Sequence, residues 1–411
     1  MSSPGRTLLL FTSSYPFGVG EEFIETEIEF LSQHFHEVHI FPLLKTGAKR
    51  SLPANVSVKD FRLYAPYSRV KLFLRKGRTL LTWYNRQRNA RHGSAYSAGR
   101  WKKFNFLMHR FSDADEAGKL LSAYQPEQTV VYSYWFNIWT MVLAFSKGLG
   151  YHTHRVLTRG HGGDIDEQRK KAGFFLFRSI EMEFVDRVVP VSAYGRQLLR
   201  TYYPEFAKKI GMSRLGVENK GENPFAHSET FRIVTCSFAY ALKRLHLVAE
   251  VLSHLEIKTE WVHFGEGEQL SRLKQLAAAL PKNISVQFAG HVPNSAVIDF
   301  YRKNQVDLFM NVSELEGIPV SIMEAISFGI PVTGCKIGGV PEIVVEETGF
   351  LLEKDFDPAV VAGKIRNYHQ LDFETKLNFR EGVKKFWVNN FNAKKNYGEF
   401  IRTELTGTIQ S

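Results

Sequence analysis

The chain has 411 residues, a length that suits two domains of ordinary size. With 44% hydrophobic and 23% charged residues it is not a disordered, collagenous or coiled-coil protein, and two cysteines, Cys236 and Cys335, are too few for a disulfide framework. The net charge of +11 is local: Phe61 to Ser112 holds thirteen Lys or Arg and no Asp or Glu, while the rest is close to neutral, which argues against a general coat for nucleic acid and for one local anionic partner.

In chain order, Leu8 to Phe11 reads as a strand, broken by Tyr15-Pro16-Phe17-Gly18-Val19-Gly20. Gly18 and Gly20 lack a Cβ, so this loop is a candidate for close backbone approach to a phosphate or acceptor. It lacks the full dinucleotide fingerprint, which argues against hydride transfer. Glu21 to His34 follows as a helix, with Phe23, Ile24, Ile28 and Leu31 at helical spacing, and Val38 to Pro42 as the next strand. The basic stretch interleaves Leu, Phe, Trp and Tyr with its charges, a composition suited to the interface of an anionic membrane. Single-stranded nucleic acid and a merely solvated face are the other readings of this stretch. The uncharged run Val130 to Ser146 is too short to span a bilayer and reads as a buried strand entering a buried helix. No signal peptide is expected at the N-terminus.

Val130 to Tyr132, Arg155 to Thr158 and Arg187 to Val191 continue the strand and helix alternation of a mostly parallel sheet. Arg159-Gly160-His161-Gly162-Gly163-Asp164 lies at a strand's carboxyl end, which makes His161 a functional candidate; His152 and His154, at the strand's start, read as surface or packing residues. The polar stretch 216–231 is the expected linker, between an N-terminal domain 1–215 and a second domain 232–385, with 386–411 forming a helix that crosses back. Strands at Arg232 to Ser237, Trp261 to Phe264, Ile284 to Ala289, Val306 to Asn311 and Pro331 to Cys335 alternate with helices, so two Rossmann-like α/β domains are predicted.

The most informative segment is Asn311 to Gly349, NVSELEGIPVSIMEAISFGIPVTGCKIGGVPEIVVEETG. A strand ends near Val312, Glu316 and Gly317 sit in the turn, Pro319 suits a first helical turn, and Gly329 with Pro331 stops the helix. Glu316 and Glu324 then lie at the carboxyl edge of a parallel sheet, where their carboxylates can accept hydrogen bonds from sugar or ribose hydroxyls and the helix start can hold a phosphate.

This segment, Ser-x-x-Glu-Gly-x-Pro, Glu-Ala, Gly-x-Pro-Val and Gly-Gly-x-x-Glu, resembles the donor-site signature of the retaining glycosyltransferases of family 4. The resemblance implies a GT-B fold, two facing Rossmann-like domains with a cleft between them, and transfer of a sugar from a nucleotide sugar to an acceptor hydroxyl. It implies that Glu316 contacts the donor sugar, that Glu324 contacts the ribose, and that the backbone of Gly317, Ile318 and Pro319 lies against sugar and diphosphate. Lys243 matches one half of the family's diphosphate-gripping pair; Phe238 stands where the Arg would fall, and Arg244 is the candidate to replace that charge. Gly265 matches a Gly-x-Gly turn, Val292 lies in the loop whose backbone meets the base, and His161 matches a His near the reacting sugar. Retention by same-face attack is implied, with the leaving phosphate taking the acceptor's proton.

Further expectations follow from the resemblance: a UDP- or GDP-linked donor, no cofactor and no metal, and a lipid-linked or saccharide acceptor on the first domain. A role in bacterial surface polysaccharide synthesis, and a cytoplasmic location at the inner leaflet through Phe61 to Ser112, are expected too. Asp-x-Asp pairs, which can hold a divalent ion, occur three times, at Asp113, Asp164 and Asp355, and so carry little weight. The rival readings are a GT-B sugar-nucleotide epimerase and a non-catalytic basic protein that binds membrane or nucleic acid; the second has no use for Glu316, Glu324 and Lys243 together.

Overall fold

The computed structural model describes residues 5–18, 20–61, 63, 67–89, 99–166 and 175–407. The chain divides into two units, Met1–Ser213 with Tyr397–Ser411, and Arg214–Asn396.

The first unit is built on strands β1 (Thr7–Thr12), β2 (Glu37–Pro42), β3 (Val56–Val58), β4 (Thr129–Ser133), β5 (Arg155–Gly160) and β6 (Arg187–Pro190). They pair in parallel in the order β3-β2-β1-β4-β5-β6. Leu8, Leu9 and Leu10 are consecutive and all fully buried, because successive side chains enter opposite cores: Leu9 and Phe11 one, Leu8 and Leu10 the other. The uncharged run becomes β4 and the helix Ile138–Gly148, whose start is capped by the Asn137 side chain on Trp139 N–H. Among the described residues no helix is long and apolar enough to cross a membrane. The chain returns to this unit through the helix Ala393–Phe400, and Phe400, Ile401 and Leu405 are buried in the core that holds Leu8 and Leu10.

The second unit holds β7 (Phe231–Cys236), β8 (Thr259–Phe264), β9 (Ile284–Gly290), β10 (Leu308–Asn311), β11 (Val332–Cys335) and β12 (Gly349–Leu352). Their order, β12-β11-β10-β7-β8-β9, repeats the topology of the first sheet when counted from β7, and every pairing is parallel. Each unit is therefore a doubly wound sheet, with its order reversing between β1 and β4 and between β7 and β10. Strands β3 and β12 are short edge strands that the sequence pattern did not mark. The stretch 216–231 is not a free connection. Asn223 in it is buried and bonds Tyr301 O, Asn304 O and Val306 N, so it is fastened to the second unit.

Candidate active site

In an open parallel sheet a ligand binds beyond the carboxyl ends of the strands, where the order reverses. In the second unit that point lies between the loops that leave β7 and β10. Glu314 N–H donates to Leu242 O at 2.8 Å and so fastens the two loops together. Lys243 Nζ reaches Glu316 Oε1 at 2.6 Å, and Asn311 Nδ2 lies 3.4 Å from the same oxygen. Gly338 secures the Glu316 loop from below. Its φ is +51°, and a Cβ there would lie 2.0 Å from Glu316 O, while Gly339 N–H donates to Gly317 O at 2.7 Å. The Gly-Gly pair of the motif thus supports the loop that presents Glu316.

The helix after this loop spans Val320–Ser327, so Pro319 is its extended N-cap residue and not part of the first turn, and Gly317 and Ile318 lie in the approach to it. The orphan N–H groups of that turn suit an anionic ligand. Glu324, one turn further, accepts from Asn294 Nδ2 at 2.8 Å, and burial pushes its carboxyl pKa up to about 6. Gly265, with φ +137°, passes so close to β7 that a Cβ would lie 1.9 Å from Ser237 O, and its N–H donates to Gly290 O at 2.8 Å. The ends of β7, β8 and β9 are locked together there, with His291 and Val292 just beyond. Lys243, Glu316, Gly317, Ile318, Pro319, Glu324, Gly265 and Val292 are therefore all on the carboxyl side of one sheet.

Arg244, the candidate to replace the missing cation, is bonded to groups of the protein itself. Its Nε donates to Val312 O at 2.9 Å, one terminal nitrogen to Lys354 O at 2.8 Å and the other to Cys335 Sγ at 3.2 Å. The guanidinium is occupied in tying the ends of β10 and β11. Phe238 instead brings an aromatic ring, stacked against Tyr240 with 5.5 Å between centroids and near-parallel to His291 at 6.4 Å.

In the first unit the corresponding point lies beyond β1 and β4. His161 follows β5, with its ring stacked on Tyr134 at 4.6 Å and tilted against Trp135 at 4.5 Å, and its side chain is 8% exposed. Asp164 fixes this loop by accepting from His161 N–H at 2.7 Å, Gly162 N–H at 3.0 Å and Phe136 N–H at 3.0 Å. Burial opposes the charge on Asp164, but the His161 ring and these N–H groups hold its carboxyl below the ordinary value. Glu21, the first residue of the helix expected from the sequence, is buried. Its carboxylate accepts from Ser14 N–H and Tyr15 N–H, each at 2.6 Å, and from Trp135 Nε1–H, so it joins the ends of β1 and β4 beneath the indole that meets His161. A carboxylate directly after a glycine loop at a strand's carboxyl end was the available signal. Beside Trp135 opens a cavity of about 720 Å³, walled by Phe106, Trp135, Phe136, Ile138 and Met141.

Gly18 and Gly20 serve the chain itself. Gly18, at φ +63°, accepts from Arg50 at its carbonyl and would press a Cβ to 2.8 Å from Thr46 O; Gly20 N–H donates to Glu22. His152 and His154 are buried packing residues bonded to Leu143 O and Tyr124 O. Each Asp-x-Asp pair is engaged internally: Asp113 with Arg110, Asp115 with Arg75 and Lys119, Asp164 as above, Asp166 with Tyr194, Asp355 beside Arg244, and Asp357 capping a helix.

Part of the basic segment lies outside the described residues; the rest forms the helices Arg69–Asn89 and Arg100–Leu121. Val70, Leu74 and Leu81 on the first and Trp101 on the second are exposed, Leu74 by 79% and Trp101 by 82%. Not every cation faces outward: Arg110 is buried against Asp113, and Lys76 donates to Leu149 O with its ammonium over the Tyr151 ring.

The sequence model of the family "Glycosyl transferases group 1" matches residues 219–386, the part that holds Lys243, Glu316 and Glu324. The chain is 25% identical over 339 residues to the putative colanic acid biosynthesis glycosyltransferase WcaL of Salmonella typhimurium, covering 77% of this chain and 79% of that one. It is 26% identical over 220 residues to the amylovoran biosynthesis glycosyltransferase AmsK of Erwinia amylovora, covering 49% and 52%. Its fold is shared by a glycosyltransferase from Rickettsia africae, at TM-score 0.67 and 18% identity over 98% of this chain and 100% of that one. HepE of Anabaena, in complex with UDP, follows at TM-score 0.66 and 15% identity over 96% and 98%. The fold likeness runs through both units and the family match through the second: the chain is a glycosyltransferase of GT-B fold whose residues 219–386 match the glycosyl transferases group 1 model.

Proposed function

We propose that this protein is a retaining glycosyltransferase of bacterial surface polysaccharide synthesis, taking a UDP- or GDP-linked sugar in its second unit and an acceptor hydroxyl from its first. The observation that carries the reading is the Lys243–Glu316 ion pair at the reversal point of the second sheet, with Glu324 on the helix that follows the Glu316 loop. A cation and a helix start can hold a diphosphate, one carboxylate can orient the sugar, and the other can accept from a ribose diol. HepE structures with UDP and with UDP-glucose support a nucleotide-sugar donor, and the names of WcaL and AmsK support an exopolysaccharide product.

In the proposed reaction the bond from the sugar's anomeric carbon to the leaving phosphate oxygen breaks, and the acceptor oxygen bonds to that carbon on the same face. The acceptor's proton passes to the departing phosphate. Lys243 and the helix start at Val320 stabilise the negative charge that develops on the diphosphate, which supports a reaction without a bound metal. Glu316 orients the sugar hydroxyls. The His161 ring and the cavity beside Trp135 serve the acceptor side, and the exposed apolar and basic residues of the helices Arg69–Asn89 and Arg100–Leu121 support docking on an anionic leaflet.

The test is incubation of purified protein with UDP- and GDP-sugars, with and without a membrane extract as acceptor source, in excess chelator. Release of nucleoside diphosphate that rises with acceptor is expected. An epimerised sugar without acceptor would establish the epimerase, and activity abolished by chelator but restored by manganese would return the Asp-x-Asp pairs to the reaction.

A further inference from the structure

We propose that Phe238 and His291 form a stacking platform for the planar base of the donor nucleotide, so that this site grips its donor by aromatic contact as well as by charge. The inference rests on the donor-site reading above. Phe238 is 47% exposed and Tyr240 45% exposed, and His291 is exposed as well. The Phe238 ring lies within 21° of parallel to Tyr240 and within 8° of parallel to His291. Three exposed aromatic rings gathered on one edge make a surface that a planar heterocycle, the base of a nucleotide sugar, can match.

The platform is fixed in advance. Ser237 N–H donates to Phe264 O at 3.0 Å, Ala239 N–H to Glu266 O at 2.8 Å, and Gly265 N–H to Gly290 O at 2.8 Å, so the loops carrying Phe238 and His291 are tied through the loop between them. The strand order also sets which part of the donor falls there. In β10-β7-β8-β9, Glu316 leaves β10, Phe238 leaves β7 and His291 leaves β9. Sugar and phosphates at Lys243 and Glu316 therefore lie on the β10 side of Phe238, and the other end of the ligand extends toward β9. The ribose candidate Glu324 points the same way, since it is held by Asn294, three residues past His291.

Calorimetry with uridine and UDP, and with guanosine and GDP, tests this on the parent, Phe238→Ala, Phe238→Trp, His291→Ala and Lys243→Ala. Stacking of one base predicts that Phe238→Ala weakens nucleoside and nucleoside diphosphate by the same factor, at least fivefold. His291→Ala should act in the same direction and Phe238→Trp should retain affinity. Phe238 is half exposed, so its removal leaves the fold intact, which the melting temperature checks. Unchanged affinities in Phe238→Ala, with diphosphate binding still lost in Lys243→Ala, would overturn the platform and leave the donor site standing. A loss for the diphosphate alone would place the ring at the phosphates and overturn it too. Failure of the parent to bind any of the four ligands would instead remove the donor-site reading beneath it.

Discussion

Lys243 Nζ and Glu316 Oε1 are 2.6 Å apart, and their side chains are 19% and 12% exposed. The cation assigned to the diphosphate and the carboxylate assigned to the sugar are thus one ion pair, set between the loops after β7 and β10. A charged hydrogen bond of this kind contributes about 1.5–3 kcal/mol. Lys243→Ala should weaken UDP at least tenfold and uridine little. Glu316→Gln should bind UDP as well as the parent or better, because Lys243 loses its competitor for the phosphate, yet turn over at least tenfold more slowly. Calorimetry and steady-state rates separate the two, and weaker UDP binding in Glu316→Gln would contradict this arrangement.

Burial raises the Glu324 carboxyl to about 6, so the ionised form that accepts from a ribose diol fills as pH rises through that value. Uridine, which has no phosphate to titrate, should bind about tenfold more tightly at pH 7 than at pH 5. The dependence should vanish in Glu324→Gln. A slope that persists in the variant would place the titrating group elsewhere.

Gly338 should tolerate no side chain. An added Cβ meets Glu316 O at 2.0 Å and the residue holds φ +51°, so Gly338→Ala must displace the Glu316 loop. Strain of this kind costs about 1–3 kcal/mol. Turnover should fall together with thermal stability, and an unchanged rate would show that the loop can shift without harm.

Two buried histidines make the fold acid-sensitive. Burial holds the His152 and His263 rings at a pKa of about 4, against 6.5 unperturbed. Below 6.5 the unfolded chain takes up protons that the folded one refuses until about 4, so stability is full above 6.5 and declines as pH falls across that window. Each ring should account for about 2 kcal/mol between pH 7 and pH 5. Urea unfolding at both pH values should show a smaller loss in His152→Gln and His263→Gln than in the parent.

Anionic vesicles should capture the protein at low salt and release it at high salt, since each Lys or Arg at such a surface contributes about 1 kcal/mol. The structure selects the residues to change: Leu74, 79% exposed, Trp101, 82% exposed, and Arg75 and Lys102 near them. Reversal of Arg75 and Lys102 to Glu, with Leu74 and Trp101 changed to Ser, should abolish co-sedimentation and leave donor binding intact. Co-sedimentation equal to the parent's would leave the segment as a solvated face. Lys76, bound to Leu149 O, is the wrong target, since its loss would disturb packing.

Much of this fold was legible in the sequence because parallel strands covered on both faces must be apolar throughout. Leu8 to Phe11 and Val130 to Tyr132 announced themselves as such runs, and the structure has strands there. Strands β3 and β12 escaped because three or four residues at a sheet edge are too short a run to stand out. The segment around Glu316 was legible for a related reason: Pro319 and Gly329 bracket the helix with boundary residues, and a motif is a local pattern.

What only the tertiary structure decided is where each charge is used. Arg244 and Lys243 are adjacent in sequence, yet Arg244 is held by Val312 O, Lys354 O and Cys335 Sγ while Lys243 reaches Glu316, 73 residues away. Glu21 and Glu316 are both acidic residues near glycine loops, but Glu21 is saturated by Ser14, Tyr15 and Trp135 and has become part of the scaffold. Sequence fixes which donors and acceptors exist and how the strands alternate. Which of them meet depends on strand order, since a succession of parallel strands that reverses between β7 and β10 brings together loops that the chain keeps far apart.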